Sequence, residues 1–240
     1  MTDRQFKLLQ AIIREFIESA EAVGSVNLVR KYRLNVSSAT IRNEMAELMK
    51  QGYIEKPHTS AGRVPTTRGY KLFVDSVMDE IDELDVALAA LIKEKLLTSR
   101  FNADELLYTA LNSLYEITGN VSMALVDNRI YHAGLARIPT VPEFRQVQEL
   151  CNLIEVLEDR LLLKKIFELE DTADNVRVLF GEDTDIAVFK HMTIIYSPIE
   201  LYNQKEGYIG IIGPERMNYT KVIPAVEFVA NNINNLVSGW

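Results

Sequence analysis

The feature that most restricts what this chain can fold into lies in residues 1–66. Three short amphipathic segments follow one another closely, and two strand-like runs come straight after them, the second interrupted by a proline. The first segment opens at Thr2-Asp3-Arg4-Gln5, a capping-box pattern in which the Thr2 hydroxyl takes an orphan amide and Gln5 reaches back. Phe6, Leu9, Ile13, Phe16 and Ile17 then recur at helical spacing and mark one hidden face. Gly24-Ser25 ends this helix, and Ser25 is expected to cap a second one through Tyr32, with Leu28, Val29 and Tyr32 inward. The connector Arg33-Leu34-Asn35-Val36 lacks glycine, but Asn35 tolerates the left-handed conformation a tight turn needs. Ser37 is expected to cap a third helix that stops at Gly52.

Ile41, Met45 and Leu48 define the buried stripe of that third helix. At about 100° per residue, Ala39, Asn43 and Lys50 fall opposite it, with Thr40 and Arg42 flanking the outward side. Asn makes a bidentate contact with adenine and Arg with guanine, and Thr offers a hydroxyl and a methyl. Ser37 and Ser38, at the positive end of the helix, suit a phosphate. An ordinary surface helix solvated by the same residues has the same pattern, so the helix alone does not decide. The next segment does more. Tyr53-Ile54-Glu55-Lys56 reads as a strand and Val64-Pro65-Thr66 as a return strand confined to an edge by its proline. Between them runs Pro57-His58-Thr59-Ser60-Ala61-Gly62-Arg63, a small-residue loop ending in a cation. Three helices and a hairpin with a basic loop make a winged helix-turn-helix, whose wing lies along the backbone while Arg63 enters a minor groove or meets phosphate. The candidate DNA-binding residues are therefore Ser37, Ser38, Ala39, Thr40, Arg42, Asn43, Lys50, His58, Thr59, Ser60, Gly62 and Arg63.

Charge supports this division. The net charge of -8 argues at first against a polyanion partner. Residues 1–75 nevertheless hold 12 Lys and Arg against 8 Asp and Glu, while residues 76–240 hold 14 against 26. From Arg30 to Lys71 the count is 9 basic to 3 acidic, a basic head on an acidic body.

Ser37-Ser38-Ala39-Thr40-Ile41-Arg42-Asn43-Glu44-Met45, Gly52-Tyr53-Ile54 and Pro57-His58-Thr59-Ser60-Ala61-Gly62-Arg63-Val64-Pro65-Thr66 closely resemble the HrcA family of bacterial heat-inducible transcription repressors. Gly69-Tyr70 and Val74-Asp75 continue the match. A second match lies in Gly207-Tyr208-Ile209-Gly210-Ile211-Ile212-Gly213-Pro214-Glu215-Arg216-Met217-Asn218-Tyr219, with Val222-Ile223-Pro224 after it. The resemblance implies an α+β protein with an N-terminal winged helix-turn-helix over residues 1–75, a helical linker over 76–120 and a GAF-like α/β body over 121–240. It also implies repression of chaperone operons through an inverted-repeat operator bound as a homodimer, with the GroE chaperonin assisting the active state.

The chain is shorter than typical members of that family. Val121-Ser122-Met123-Ala124-Leu125-Val126 resembles the first strand of the body, and Arg129-Ile130-Tyr131-His132-Ala133-Gly134 the segment after the family's inserted dimerisation element. Only Asp127-Asn128, a pair suited to a tight turn, separates them. The insertion is expected to be absent and the GAF-like body reduced. A replacement contact between subunits has two candidate stripes: Val77, Ile81, Leu84, Leu88 and Leu91, and Val222, Val226, Val229, Ile233 and Leu236. Each spans only about two heptads, and packing on the protein's own domain is the better account of either stripe by itself. The first is taken as the self-association helix.

The rest of the body is expected to contain an amphipathic helix with Phe144, Val147, Cys151, Ile154, Leu157 and Leu161 inward, so that Cys151 is core. Strands are expected at Val176–Phe180, Met192–Tyr196 and Tyr208–Ile212. As the one cysteine, Cys151 forms no internal disulfide, which fits a cytoplasmic location. The longest apolar run, Val86 to Ile92, is far below the ~20 residues of a membrane span. His58, His132 and His191 are scattered, and no HExxH, GxSxG or Walker-type loop is present, so neither an enzyme nor a cofactor or metal site is expected. Two alternatives stay open: a regulator whose body senses a small ligand, and a winged-helix head fused to a catalytic domain as in biotin ligase-repressors. For the latter, no adenylate loop has a counterpart here.

Overall fold

The computed structural model describes residues 1–32, 37–57, 62–79, 84–169, 175–201 and 205–238. The chain divides into two compact units. One comprises Met1–Glu80 with Arg216–Asn218, the other Ile81–Glu215 with Tyr219–Trp240.

The first unit begins with α1 (Asp3–Ser19), closed at its start by the expected Thr2/Gln5 capping box. Leu8, Leu9, Ala11, Ile12 and Ile13 are its buried residues. Helix α2 (Ser25–Lys31) is capped by Gly24 and has no side-chain cap; Ser25, expected to be the cap, is instead its first, buried residue. Helix α3 (Ser38–Lys50) buries Ile41, Met45 and Leu48, the stripe read from the sequence. Its end is a Schellman motif: Tyr53 N donates to Leu48 O and Gly52 N to Met49 O, both at 3.0 Å, with Gly52 at φ +76°. Strands β1 (Ile54–Glu55) and β2 (Val64–Pro65) pair antiparallel, Ile54 opposite Pro65 and Glu55 opposite Val64. They are shorter than the runs expected. Helix α4 (Thr67–Asp79) follows, burying Tyr70, Phe73, Val74 and Val77. Leu9, Ile12, Ile13, Leu28, Leu48, Ile54 and Phe73 are essentially inaccessible to water and form the core of this unit. Truncating any one to alanine would cost about 2–5 kcal/mol.

The second unit opens with α5 (Val86–Ser99), capped by Asp85, and α6 (Ala103–Thr118), capped by Asn102. Strands β3 (Val121–Val126) and β4 (Arg129–Ala133) form a hairpin whose two turn residues, Asp127 and Asn128, sit at φ +50° and +62°. Positive φ at both central positions is the turn whose twist suits adjoining strands, and Asp and Asn tolerate it. Helices α7 (Val147–Glu158) and α8 (Arg160–Phe167) precede β5 (Arg177–Phe180), β6 (Met192–Leu201) and β7 (Lys205–Pro214), and α9 (Tyr219–Ser238) ends the unit. The sheet order is β4-β3-β7-β6-β5, antiparallel throughout. All six residues of β3 are buried, because both sheet faces are covered. Val121, Met123 and Leu125 pack with Leu153, Val156, Leu157, Leu163, Ile166 and Phe167 of α7 and α8. On the opposite face, Ser122 Oγ donates to Leu111 O of α6 at 2.7 Å, and α9 packs on β6 and α6.

Three sequence expectations for residues 77–161 fail. The helix expected from Phe144 to Leu161 is broken at Asp159, whose Oδ1 accepts from Leu161 N at 2.9 Å and Leu162 N at 3.1 Å to start α8. The buried stripe is Leu153, Val156 and Leu157 rather than Val147, Cys151 and Ile154, so Val147 is 75% exposed and Cys151 is exposed, not core. Both stripes have helical spacing, and only the sheet selects between them. Nor do Val77 and Leu91 share a helix. Val77 is buried on α4, whereas Asp85 caps a new helix carrying Leu88 and Leu91; Ile81 lies outside the described residues. In α9, Val222, Val226, Val229 and Ile233 are fully buried, so that stripe packs within its own unit.

Candidate nucleic-acid interface

The candidate residues converge on α3 and the hairpin after it. Ser37 caps α3: its Oγ accepts from Thr40 N at 3.1 Å and lies 3.0 Å from Thr40 Oγ1. This engages two of the hydroxyls that the sequence offers to DNA, those of Ser37 and Thr40. The Ser38 and Ala39 amides remain at the positive end of the helix, where anions bind. Ser38 is half-buried and Ala39 exposed. On the side of α3 turned away from Ile41, Met45 and Leu48, Ala39, Arg42, Asn43, Glu47, Met49 and Lys50 are exposed.

Charge on this face is already partly paired. Lys50 Nζ lies 2.6 Å from Glu47 Oε1 on the open surface, a pair worth little by itself. Glu44 is held by Arg4 of α1. Arg42 and Asn43, both exposed, have no hydrogen-bond or ion-pair partner among the described residues, so these two polar side chains of the face are available. On α2, Lys31 bridges Glu15 and Glu18 at 2.6 Å each, and these bonds hold its pKa above the usual lysine range. Its charge is satisfied within the protein.

The hairpin has an additional backbone partner that spacing does not show. Arg63 exchanges backbone hydrogen bonds with Val23, at 2.8 and 2.9 Å, so a residue between α1 and α2 adds a third partner beside β2. Arg63 is therefore half-buried where the loop rejoins β2. Gly62 has a packing reason to be glycine: a Cβ there would lie 2.5 Å from the Ala22 and Val23 carbonyl oxygens. Val23 carries no periodic signal, so nothing in the sequence announced this contact. His58, Thr59 and Ser60 lie outside the described residues.

Elsewhere, no group of three or more His, Cys, Asp or Glu side chains among the described residues is placed to hold a metal ion. No helix among them is long and apolar enough to cross a membrane. A cleft in the second unit, walled by Gly119, Val121, Gly134, Arg137, Phe144 and Ile212, encloses about 240 Å³ including its open mouth. That is below the ~300–1,000 Å³ of typical small-molecule pockets.

Residues 74–223 match the family model described as the HrcA protein C terminal domain. The heat-inducible transcription repressor HrcA of Thermoanaerobacter sp. (strain X514) is 26% identical over 336 aligned positions, covering 99% of this chain and 97% of the relative. That of Clostridium acetobutylicum is 27% identical over 337, covering 98% and 97%. Since 336 aligned positions hold at most 240 residues of this chain, at least 96 of them (336 minus 240) face a gap here. The fold matches a crystal structure of a hypothetical protein with a TM-score of 0.81 at 18% identity, covering 100% of this chain and 99% of that one. With the family model spanning more than half its length and full-length relatives of the same name, the chain belongs to the HrcA family of heat-inducible transcription repressors.

Proposed function

We propose that this protein represses transcription of heat-shock chaperone genes by binding duplex DNA through a winged helix-turn-helix formed by α2, α3 and the β1–β2 hairpin. One observation carries the reading. Arg42 and Asn43 project, unpartnered among the described residues, from the side of α3 opposite its buried stripe, next to the helix N-terminus. A helix enters the major groove with its N-terminal residues toward base edges, and that is where these two stand. Asn43 and Arg42 read bases; the Ser38 and Ala39 amides meet a phosphate. Thr40 supplies its methyl more readily than its hydroxyl, which Ser37 holds. Lys50 and Arg63 contribute to backbone contact, and His58, Thr59 and Ser60 belong to the wing.

In this reading residues 1–75 are the DNA-binding head, and residues 121–240 form a reduced GAF-like body that acts without catalysis. The two-residue β3–β4 turn supports the absence of an inserted element at that point. An inverted-repeat operator calls for a two-fold dimer. The exposed apolar residues of α5, Val86 at 81% and Leu91 at 49% accessibility, support a subunit contact there, with half-buried Leu84, just before the Asp85 cap, and half-buried Leu88 beside it. A cytoplasmic location and assistance by the GroE chaperonin complete the proposal.

The test is a binding assay at fixed salt on the inverted repeat upstream of chaperone genes in the source organism, against a scrambled duplex. Asn43→Ala is expected to lose roughly 1–3 kcal/mol on the cognate site and little on the scrambled one. Undiminished discrimination would remove Asn43 from the reading face.

A further inference from the structure

Arg68 is one of the nine cations between Arg30 and Lys71, so charge alone makes it a phosphate contact. Its geometry gives it other work. Arg68 Nη1 donates to the Gln51 carbonyl, at the C-cap of α3, at 3.0 Å. Its guanidinium carbon lies 4.8 Å from the centre of the Tyr53 ring. Thr66 acts on the same corner: Oγ1 donates to Gly52 O at 2.6 Å and accepts from Gly69 N at 3.2 Å, while Thr66 N donates to Tyr53 O at 3.1 Å. Three successive carbonyls at the end of α3 are thus received by the segment that starts α4. A cation there also complements the negative end of the helix.

We infer that Arg68 is a positioning residue. It clamps the C-terminus of α3 to the start of α4 and so sets the angle at which Ala39, Arg42 and Asn43 meet DNA. The inference rests on α3 being the recognition helix. A phosphate contact and a clamp differ in what they do to salt dependence. A phosphate contact releases a counterion, and its loss lowers the slope of log affinity against log salt by about 0.9. A clamp changes affinity at every salt concentration and leaves that slope alone.

Two measurements on full-length Arg68→Ala test this. Without DNA, the Gly52 and Tyr53 amides, which close α3, are expected to exchange hydrogen roughly tenfold faster than in the unsubstituted protein, with Leu9 to Ile13 unchanged. Equal rates at Gly52 and Tyr53 overturn the clamp. On the chaperone-promoter duplex, affinity is expected to fall about three- to tenfold with an unaltered salt slope. A slope lowered by about 0.9, or an affinity that does not change, overturns the positioning role. If the unsubstituted protein binds no duplex, the DNA-binding reading falls separately, and amide exchange still judges the clamp.

Discussion

Gly69→Ala should invert the usual sign of a glycine-to-alanine change in a helix. Gly69 is the third residue of α4, and intrinsic preference alone favours alanine there by up to about 1 kcal/mol. The added methyl, however, would lie 2.2 Å from the Tyr53 carbonyl oxygen, 3.3 Å from its carbon and 3.7 Å from Leu9 Cδ1. An ordinary contact needs about 1 Å more than the first of these, and a backbone carbonyl fixed by Thr66 N cannot rotate aside as a side-chain end can. Overpacking of this kind costs about 1–3 kcal/mol, and a backbone obstacle places it at the upper end. Subtracting the helix gain leaves roughly 2 kcal/mol of destabilisation. For a unit of some 80 residues this lowers Tm by roughly 8–16 °C. Calorimetry of the full chain, with amide exchange at Leu9 to Ile13 identifying the transition of the first unit, measures it. Gly52→Ala is the control: its nearest neighbour is Arg68 Nη1 at 3.8 Å, so only the left-handed backbone costs, about 1–2 kcal/mol. A Gly69→Ala protein as stable as its parent would refute the close approach and, with it, the fixed corner between α3 and α4.

Other outcomes follow from the second unit. Where α5 forms the proposed subunit contact, Val86→Asp with Leu91→Asp, at 81% and 49% accessibility, is expected to halve the mass in sedimentation without unfolding the chain; an unchanged mass would place the contact elsewhere. Tyr131 titrates above the ordinary phenol range because burial, and then its hydrogen bond to Asp104 at 2.8 Å, disfavour the phenolate. The unfolded chain therefore loses this proton first. Stability from Tyr131 is intact below about pH 10 and declines as pH rises through the folded value. Asp104→Ala should shift the ultraviolet titration of Tyr131 downward, and an unmoved midpoint would deny Asp104 its share.

Local features of the head were legible because each is written within a few neighbouring residues. The Thr2/Gln5 box, the Ser37 cap, the Ile41–Met45–Leu48 stripe and the left-handed Gly52 all rest on spacing of four residues or fewer. So does the Asp127-Asn128 turn. Most of the exposed side of α3 was legible for the same reason: once the stripe is fixed, helical geometry dictates which side chains point away. What spacing could not show was whether an exposed polar group was already engaged. In sequence Thr40 and Lys50 are candidate DNA contacts and Arg68 is one more cation of the basic stretch, yet Ser37, Glu47 and the end of α3 respectively hold them.

The sequence by itself determined where α1 and α3 start, where α3 stops, that Asp127-Asn128 turns, and which face of α3 is hydrophobic, because these depend on local backbone sterics and a 3.6-residue period. Tertiary structure alone decided which of two apolar stripes on α7 meets the sheet, leaving Cys151 outside, and it alone brought Val23 against Arg63. The reason is common to both. Burial is a property of what arrives from distant parts of the chain, and two stripes of equal period remain equivalent until a partner surface covers one of them.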